Sequence, residues 1–459
     1  MEQEASTSSF LKDWTGDYVS KPYCVILPAT TKDVSEVVRY CASNGLHVIP
    51  QGGNTGLVGG CHTENDEQAV ILNLQRMSKI RKLDATNYSV EVEAGCIVQR
   101  LQDQAQEADR LFPLSFGAEG SAQIGGAIAT NAGGLNVLRY GMMRDLVLGL
   151  EVVLADGTIL STLNQLRKDN RGFDKKQLFI GTEGALGIIT AATLKLLPRI
   201  TNSETAVLAL ESVEDVVQLY SLARTHCADL MTAFELIPRA CLEMALEHQH
   251  GLRDPLDGCH ENYVIMEMAC SGPLNLRELI ESFFETAMNK NLIADGALAE
   301  SLTQAQAFWS IREAMVEAQA AQGRHLRTDI SVPVSVVPTF IVEAQSCLAE
   351  AAPGWLTVSY GHVGDGNIHF NALPPAGTPE GEVKPEISRL LRLIYPIVDA
   401  LGGSISAEHG IGRSRLADHQ MRQSEADQNI TAGVKHLLDP NMTLNPGCLF
   451  PAPAIGEQS

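Results

Sequence analysis

The sequence predicts an α+β fold built from two domains, on three observations. At 459 residues the chain is too long for one ordinary core. Up to about residue 198, short apolar strands alternate with glycine-rich loops. Beyond residue 199 the texture changes to amphipathic helices set between strands.

The elements follow in order. "YCVILP", from residue 23, reads as a buried strand. "TTKDVSEVVRYCASNG" reads as a helix: Thr30 caps it with Asp33 in the first turn, Val34, Val37, Val38 and Cys41 form one face, and Gly45 stands where a C-terminal cap belongs. "LHVIP", "AVILNL", "SVEVEAG" and "LGLEVVLADGTIL" are further strands, the last with an Asp156-Gly157 hairpin signal. "LFIGTEGALGIITAATLKLLP" closes this half. In the second half "VEDVVQLYSLARTHC", "PRACLEMALEHQ", "NLRELIESFFETAMNKN" and "AQAFWSIREAMVEAQAAQ" are amphipathic helices, with strands at "NYVIMEMAC" and "WLTVSYGHV". The tail "LLDPNMTLNPGCLF" is extended.

The formal net charge of −21 repels phosphate backbones and argues against nucleic-acid binding. Ten cysteines without a CxxC pair fit reduced thiols in a cytoplasmic protein, or in one peripheral to the inner membrane. The N-terminus "MEQEASTSSFLKDW" lacks a basic flank and an apolar run, so it does not read as a signal peptide, and no membrane span is expected.

Three loops concentrate glycine. "PQGGNTGLVGG" carries Gly52, Gly53, Gly56, Gly59 and Gly60, with Asn54 and Thr55 as added donors. Such a loop turns backbone N–H groups toward an anion, though a tight turn is an equal reading. It is neither a Walker loop nor a dinucleotide-fold fingerprint. "GAEGSAQIGGAIATNAGG" sets Ser121, Thr130 and Asn131 among Gly125, Gly126, Gly133 and Gly134. "GTEGALGIIT" adds Gly184, Gly187 and Ile189. Three such loops in one domain suggest a large anionic nucleotide.

"SYGHVGDGNIHFN" holds two histidines around a Gly-Asp-Gly turn. With Asp365-Gly366 as the centre of a type I′ turn, His362 would oppose His369 across the strands, with Asn371 on the same face. A stacked pair on a solvated face is the alternative. "GGSISAEHGIGRSR" offers Glu408 and His409. Two histidines and a carboxylate make a three-ligand set that leaves positions for substrate. Glu408 and His409 are neighbours, so serving one site demands an irregular backbone, which Gly410 and Gly412 permit. Arg312 on a helix and Arg327 before a strand suit a carboxylate, or else surface ion pairs.

In order and wording, the three glycine loops resemble the FAD-binding domain of the vanillyl-alcohol oxidase superfamily. With "GHVGDGNIHFN" and "SAEHGIG" they resemble its D-2-hydroxyacid dehydrogenase branch, from about residue 20 to 450. The resemblance implies a PCMH-type two-subdomain FAD-binding domain (18–198), an α+β cap or substrate domain (199–430) and a C-terminal segment (431–459) that returns to the FAD domain. It implies that residues 52–60 hold the FAD pyrophosphate, and that Ser121 to Gly134, Gly184 to Ile189 and Asn445 surround the flavin. Asn54 stands where covalent members carry a flavin-linked residue, so dissociable FAD is implied. His362, His369 and Glu408 become ligands of zinc or manganese, His409 the base, and Arg312, Arg327 and Asn371 substrate-binding residues. The implied reaction oxidises a D-2-hydroxy acid, such as D-lactate or D-2-hydroxyglutarate, by hydride transfer to flavin N5. The electrons would pass to an electron-transfer flavoprotein or a quinone, or to oxygen in an oxidase; a non-catalytic FAD subunit and a homodimer are further readings. Two positions depart from the branch's D-2-hydroxyglutarate enzymes: Arg327 replaces a lysine, and Val316 a hydroxyl residue.

Overall fold

A computed structural model describes residues 9–451, apart from 15, 64 and 65. Residues 1–8 of the N-terminal stretch and 452–459 of the C-terminal segment lie outside these. The chain divides into two compact units. One runs to Gly134, from Gly141 to Arg199, and onward from Glu408; the other comprises 135–140 and Ile200–Ala407. The division thus falls at Glu408, whereas the sequence reading set it after residue 430.

The first unit holds two sheets. Strands β1 (Cys24–Ile26), β2 (His47–Gln51) and β3 (Ala69–Asn73) form a parallel sheet of order β1-β3-β2. Helix α1 (Thr31–Ser43) connects β1 to β2 and starts at the expected capping box, Thr30 with Asp33. Val34, Val38 and Cys41 are buried on its inner face. The second sheet is antiparallel, with β4 (Ile80–Asp84), β5 (Ser89–Glu93), β7 (Val147–Val153), β8 (Ile159–Ser161) and β9 (Ile188–Lys195) in the order β4-β5-β9-β7-β8. Strands β6 (Arg110–Leu111) and β10 (Leu197–Pro198) make a short separate ribbon. The β7–β8 hairpin turns at Asp156-Gly157, as read: Gly157 (φ +81°) is left-handed and Leu154 exchanges backbone bonds with Gly157 and Thr158. Helix α2 (Val98–Glu107) precedes the second glycine-rich stretch, and α3 (Ile124–Ala129) forms within it.

The second unit is built on an antiparallel sheet of β11 (Asn202–Leu210), β12 (Met231–Pro238), β13 (Asn262–Cys270) and β14 (Asp295–Leu298), ordered β12-β13-β11-β14. Alternation along β11 sends Leu208 to one face and Val207 to the other. The Leu208 face packs α4 (Val213–Cys227) and α6 (Leu276–Asn289), through Leu219 and Phe283. The Val207 face packs α5 (Arg239–His248) and α7 (Leu302–Ala321), through Leu242 and Met315. A smaller sheet of β15 (Ile330–Ser331), β16 (Leu356–Tyr360) and β17 (Asn367–Leu373) runs β15-β17-β16. The two sheets meet where Leu236 of β12 and Gly361 exchange both backbone bonds. Helices α8 (Val337–Ala351) and α9 (Glu380–Ala400) complete this unit, and α10 (Glu425–Leu438) belongs to the first.

Candidate active site

In the first unit the three glycine loops are fastened to one another by backbone. A Cβ on Gly53 would stand 2.0 Å from the Ser121 carbonyl oxygen, so only glycine lets the first and second loops meet there. The second and third loops join where the N–H groups of Gly181 and Glu183 donate to Ile128 and Ala129. Asn445, buried in the C-terminal segment, donates from Nδ2 to Gly60 O and Glu183 O, each at 2.8 Å.

The predicted cofactor residues divide within this frame. Gly125, Gly134, Gly184 and Gly187 lack room for a methyl group, against Ala94, Ser115, Pro50 and Val152 respectively. Gly59 lies against the Tyr18 ring and Gly60 against Glu183. Gly56 and Gly126 are open, with nothing within 4 Å of where a methyl group would stand, and Gly52 adjoins Gln123. Gln123 Oε1 is buried and has no hydrogen-bond partner. Thr130 caps α3 onto Gly126 O, Asn131 accepts from Arg144 N, and Ile189 is buried in β9. Thr55, Ser121 and Gly133 lie on the first and second loops themselves. The Asn54 amide is engaged within the protein. Its Nδ2 donates to Ser9 O and Lys12 O, while its Oδ1 accepts from His62 Nε2 at 2.7 Å and from Cys61 Sγ. An asparagine at φ +57° needs such local bonds to hold its backbone. The converging loops, the open glycines and the orphaned Gln123 oxygen together fit a large polar cofactor.

The segment after His409 is docked on the same loops. Glu183 Oε1 accepts from Ile411 N at 2.8 Å and Gly412 N at 3.0 Å, and Glu183 Oε2 accepts from Cys448 Sγ. Arg413 N and Ser414 N donate to Val58 O, and Arg413 Nη2 reaches Asn445 Oδ1. Residues 405–410 form no strand, and Gly410 (φ +84°) and Gly412 (φ +54°) are left-handed. The irregular backbone expected around Glu408 and His409 is therefore present. Arg415 Nη2 stands 3.5 Å from His409 Nδ1.

In the second unit a buried carboxylate organises the polar cluster. Glu235, on β12 and 1% exposed, receives His362 Nδ1 at 2.5 Å on one oxygen and Arg312 Nε at 2.8 Å on the other. Burial opposes its ionisation, but the His362 and Arg312 charges prevail and hold the carboxyl down to about 2. A carboxylate can only accept, so His362 Nδ1 carries a proton and points it at Glu235. That is how a ligating histidine is oriented by its outer neighbour. The His369 ring meets His362 edge-on, centroids 5.6 Å apart, and lies 5.3 Å from the Tyr360 ring.

The two histidines do meet, though not as a cross-strand pair. Tyr360 is the residue opposite His369, two positions from the expected register. The reason is Gly361, whose bridge to Leu236 ends β16 early. The tip becomes a six-residue loop with a 3₁₀ turn, Val363–Asp365, closed by Gly366 at φ +82°. A shift of two residues keeps side chains on their faces, which is why the rings still adjoin.

Arg312 also lies over the Tyr360 ring, 5.3 Å from its centroid. Burial pushes the Tyr360 phenol up to about 12, against the charges of both Arg312 and Arg327. Asn371 does share this face, yet its amide is engaged by protein: Oδ1 accepts from Thr328 N, and Nδ2 donates to Gln319 Oε1 and the Tyr360 hydroxyl. These bonds brace its side chain between Thr328, α7 and Tyr360. Glu183, Glu235, Tyr360 and His325 were not singled out from sequence. Glu183 and Glu235 are single acids in otherwise apolar or glycine-rich stretches, a signal that was present.

Matches with known proteins agree with this architecture. Residues 22–163 match the FAD binding domain family, and residues 200–449 match the C-terminal domain of FAD linked oxidases. The chain belongs to the FAD-linked oxidase family. It is 38% identical to a probable mitochondrial D-2-hydroxyglutarate dehydrogenase of Oryza sativa subsp. japonica, covering 98% of this chain and 79% of that one. It is 36% identical to the D-2-hydroxyglutarate dehydrogenase of Xanthomonas citri pv. viticola, covering 98% and 93%. The solved structure of p-cresol methylhydroxylase with substrate bound shares the fold, with a TM-score of 0.74 at 16% identity over 98% of this chain and 93% of that one. This family member is an FAD-dependent oxidoreductase of the D-2-hydroxyacid dehydrogenase group, with the PCMH-type α+β architecture expected from sequence. Among the described residues, no helix is long and apolar enough to cross a membrane.

Proposed function

We propose that the protein oxidises a D-2-hydroxy acid to its 2-oxo acid with the help of a divalent cation and passes the electrons to a separate acceptor. The observation that carries the reading is the Glu235-His362-Arg312 triad beside His369. It combines a histidine oriented for metal binding with an arginine suited to a carboxylate. The relatives' names supply the substrate class.

His362, His369 and Glu408 are the ligands in this reading, and their two imidazoles and one carboxylate suit zinc or manganese. Glu408 directly follows Ala407, whose N–H is anchored on Asp329 O. When bound, the cation supplies Lewis acidity that makes the C2 hydroxyl a better proton donor. When bound, FAD supplies the acceptor for the C2 hydrogen and its electron pair. Arg312 and Arg327 hold the substrate carboxylate, fixing which face of C2 is presented. His409 takes the hydroxyl proton as the C2–H bond breaks, and the 2-oxo acid remains.

Anaerobic mixing with D- and L-2-hydroxy acids, with and without chelator, tests the reading. The flavin band should bleach with a D-acid, not with its enantiomer, and bleaching should slow once the metal is removed. No bleaching by any 2-hydroxy acid would overturn the function. Bleaching indifferent to chelator would overturn the metal ligands.

A further inference from the structure

His325 has no place in the chemistry above, yet it is 6% exposed and both ring nitrogens are engaged. Nδ1 stands 2.8 Å from Gly323 O, and Nε2 stands 3.1 Å from Arg327 Nε. A carbonyl only accepts, so Nδ1 carries the hydrogen. A guanidinium only donates, so Nε2 offers its lone pair. The two partners independently require the same neutral tautomer. Burial, with Arg327's charge adding to it and outweighing the Gly323 bond, lowers the imidazole to about 4.

We propose that His325 is a positioning residue for Arg327, orienting its guanidinium for the substrate carboxylate. The assignment rests on the reading of Arg327 given above. A neutral imidazole on Nε fixes the guanidinium plane without neutralising the charge. It confines a two-point carboxylate contact to the Nη1/Nη2 edge. Arg312 is held by its Nε in the same manner, but by the anionic Glu235. The Leu326–Ala372 bridge and the Thr328 N–Asn371 bond fix the backbone on either side of Arg327, so the imidazole controls the side chain and not the strand.

Two variants separate orientation from packing. His325→Gln places an amide oxygen near the Nε2 position, whereas His325→Asn places one near Nδ1 and leaves Arg327 Nε without its acceptor. Steady-state kinetics on the flavin-loaded proteins should show KM near wild type for His325→Gln. For His325→Asn, KM should rise about tenfold, the kinetic equivalent of about 1.4 kcal/mol, with kcat and flavin content retained. In an Arg327→Ala background, His325→Asn should add nothing. Equal KM values for wild type and both variants would overturn the assignment, as would a His325→Asn effect that persists without Arg327. A wild-type flavin that no 2-hydroxy acid bleaches would instead overturn the functional reading, and this assignment with it.

Discussion

Each unit is organised by one buried glutamate, and the two do opposite work. Glu183 accepts from backbone N–H groups of Ile411 and Gly412, so it fixes the path of a chain segment. Glu235 accepts from the side chains of His362 and Arg312, so it orients an imidazole and pairs with a guanidinium. The same contrast runs through both regions. The flavin side is backbone geometry, with Gly53 set against the Ser121 carbonyl and Asn445 tying Gly60 to Glu183. The Glu235 cluster of the second unit is side-chain electrostatics. A backbone site is sensitive to added volume, whereas a charged side-chain site is sensitive to removed charge.

Four experiments would break or sharpen that contrast. The largest effect falls on His409, which the Glu183-docked segment carries. His409→Asn should cut turnover by roughly 10²–10⁴-fold and leave the oxidised flavin spectrum unchanged. A normal rate of flavin reduction in stopped flow would remove His409 from the role of base.

Next is the isosteric change of Glu235. Glu235→Gln deprives the buried Arg312 of its carboxylate and should cost about 3–5 kcal/mol of stability in urea unfolding. If it proves neutral, the charge held at Glu235 is irrelevant and the contrast collapses.

The third is pH. His325 has an ordinary value of 6.5 and is held near 4 in the folded chain. Between those values the unfolded chain binds the extra proton. The contribution is therefore complete above about pH 6.5 and is lost as pH falls toward 4, amounting to about 3 kcal/mol. His325→Gln should lack this component, so in melting curves the wild type should lose stability relative to the variant as pH is lowered. Parallel curves would show that His325 is not held neutral.

The smallest effect is expected at Glu183. An amide oxygen can still accept two N–H groups, so Glu183→Gln should cost about 1 kcal/mol or less, whereas Glu183→Ala should cost about 1–3 kcal/mol. A large loss for Glu183→Gln in the same urea assay would make Glu183 an electrostatic residue like Glu235.

Local chemistry made much of the fold legible. The Thr30–Asp33 box starts α1 as read, because a cap is settled within four residues. The Asp156-Gly157 hairpin was equally local. The His362–His369 register was not, because Gly361 answers to Leu236, a strand more than a hundred residues earlier. The sequence by itself determined the α+β class, the glycine loops and the histidines and carboxylates available for chemistry. These depend on periodicity, turn propensity and residue type, all carried by short stretches. Only the tertiary structure decided what holds those groups. Glu235 reaches His362 across 127 positions, and Glu183 reaches Ile411 across 228. No short window of sequence encodes such a pairing, because it is fixed by which strands and loops pack together.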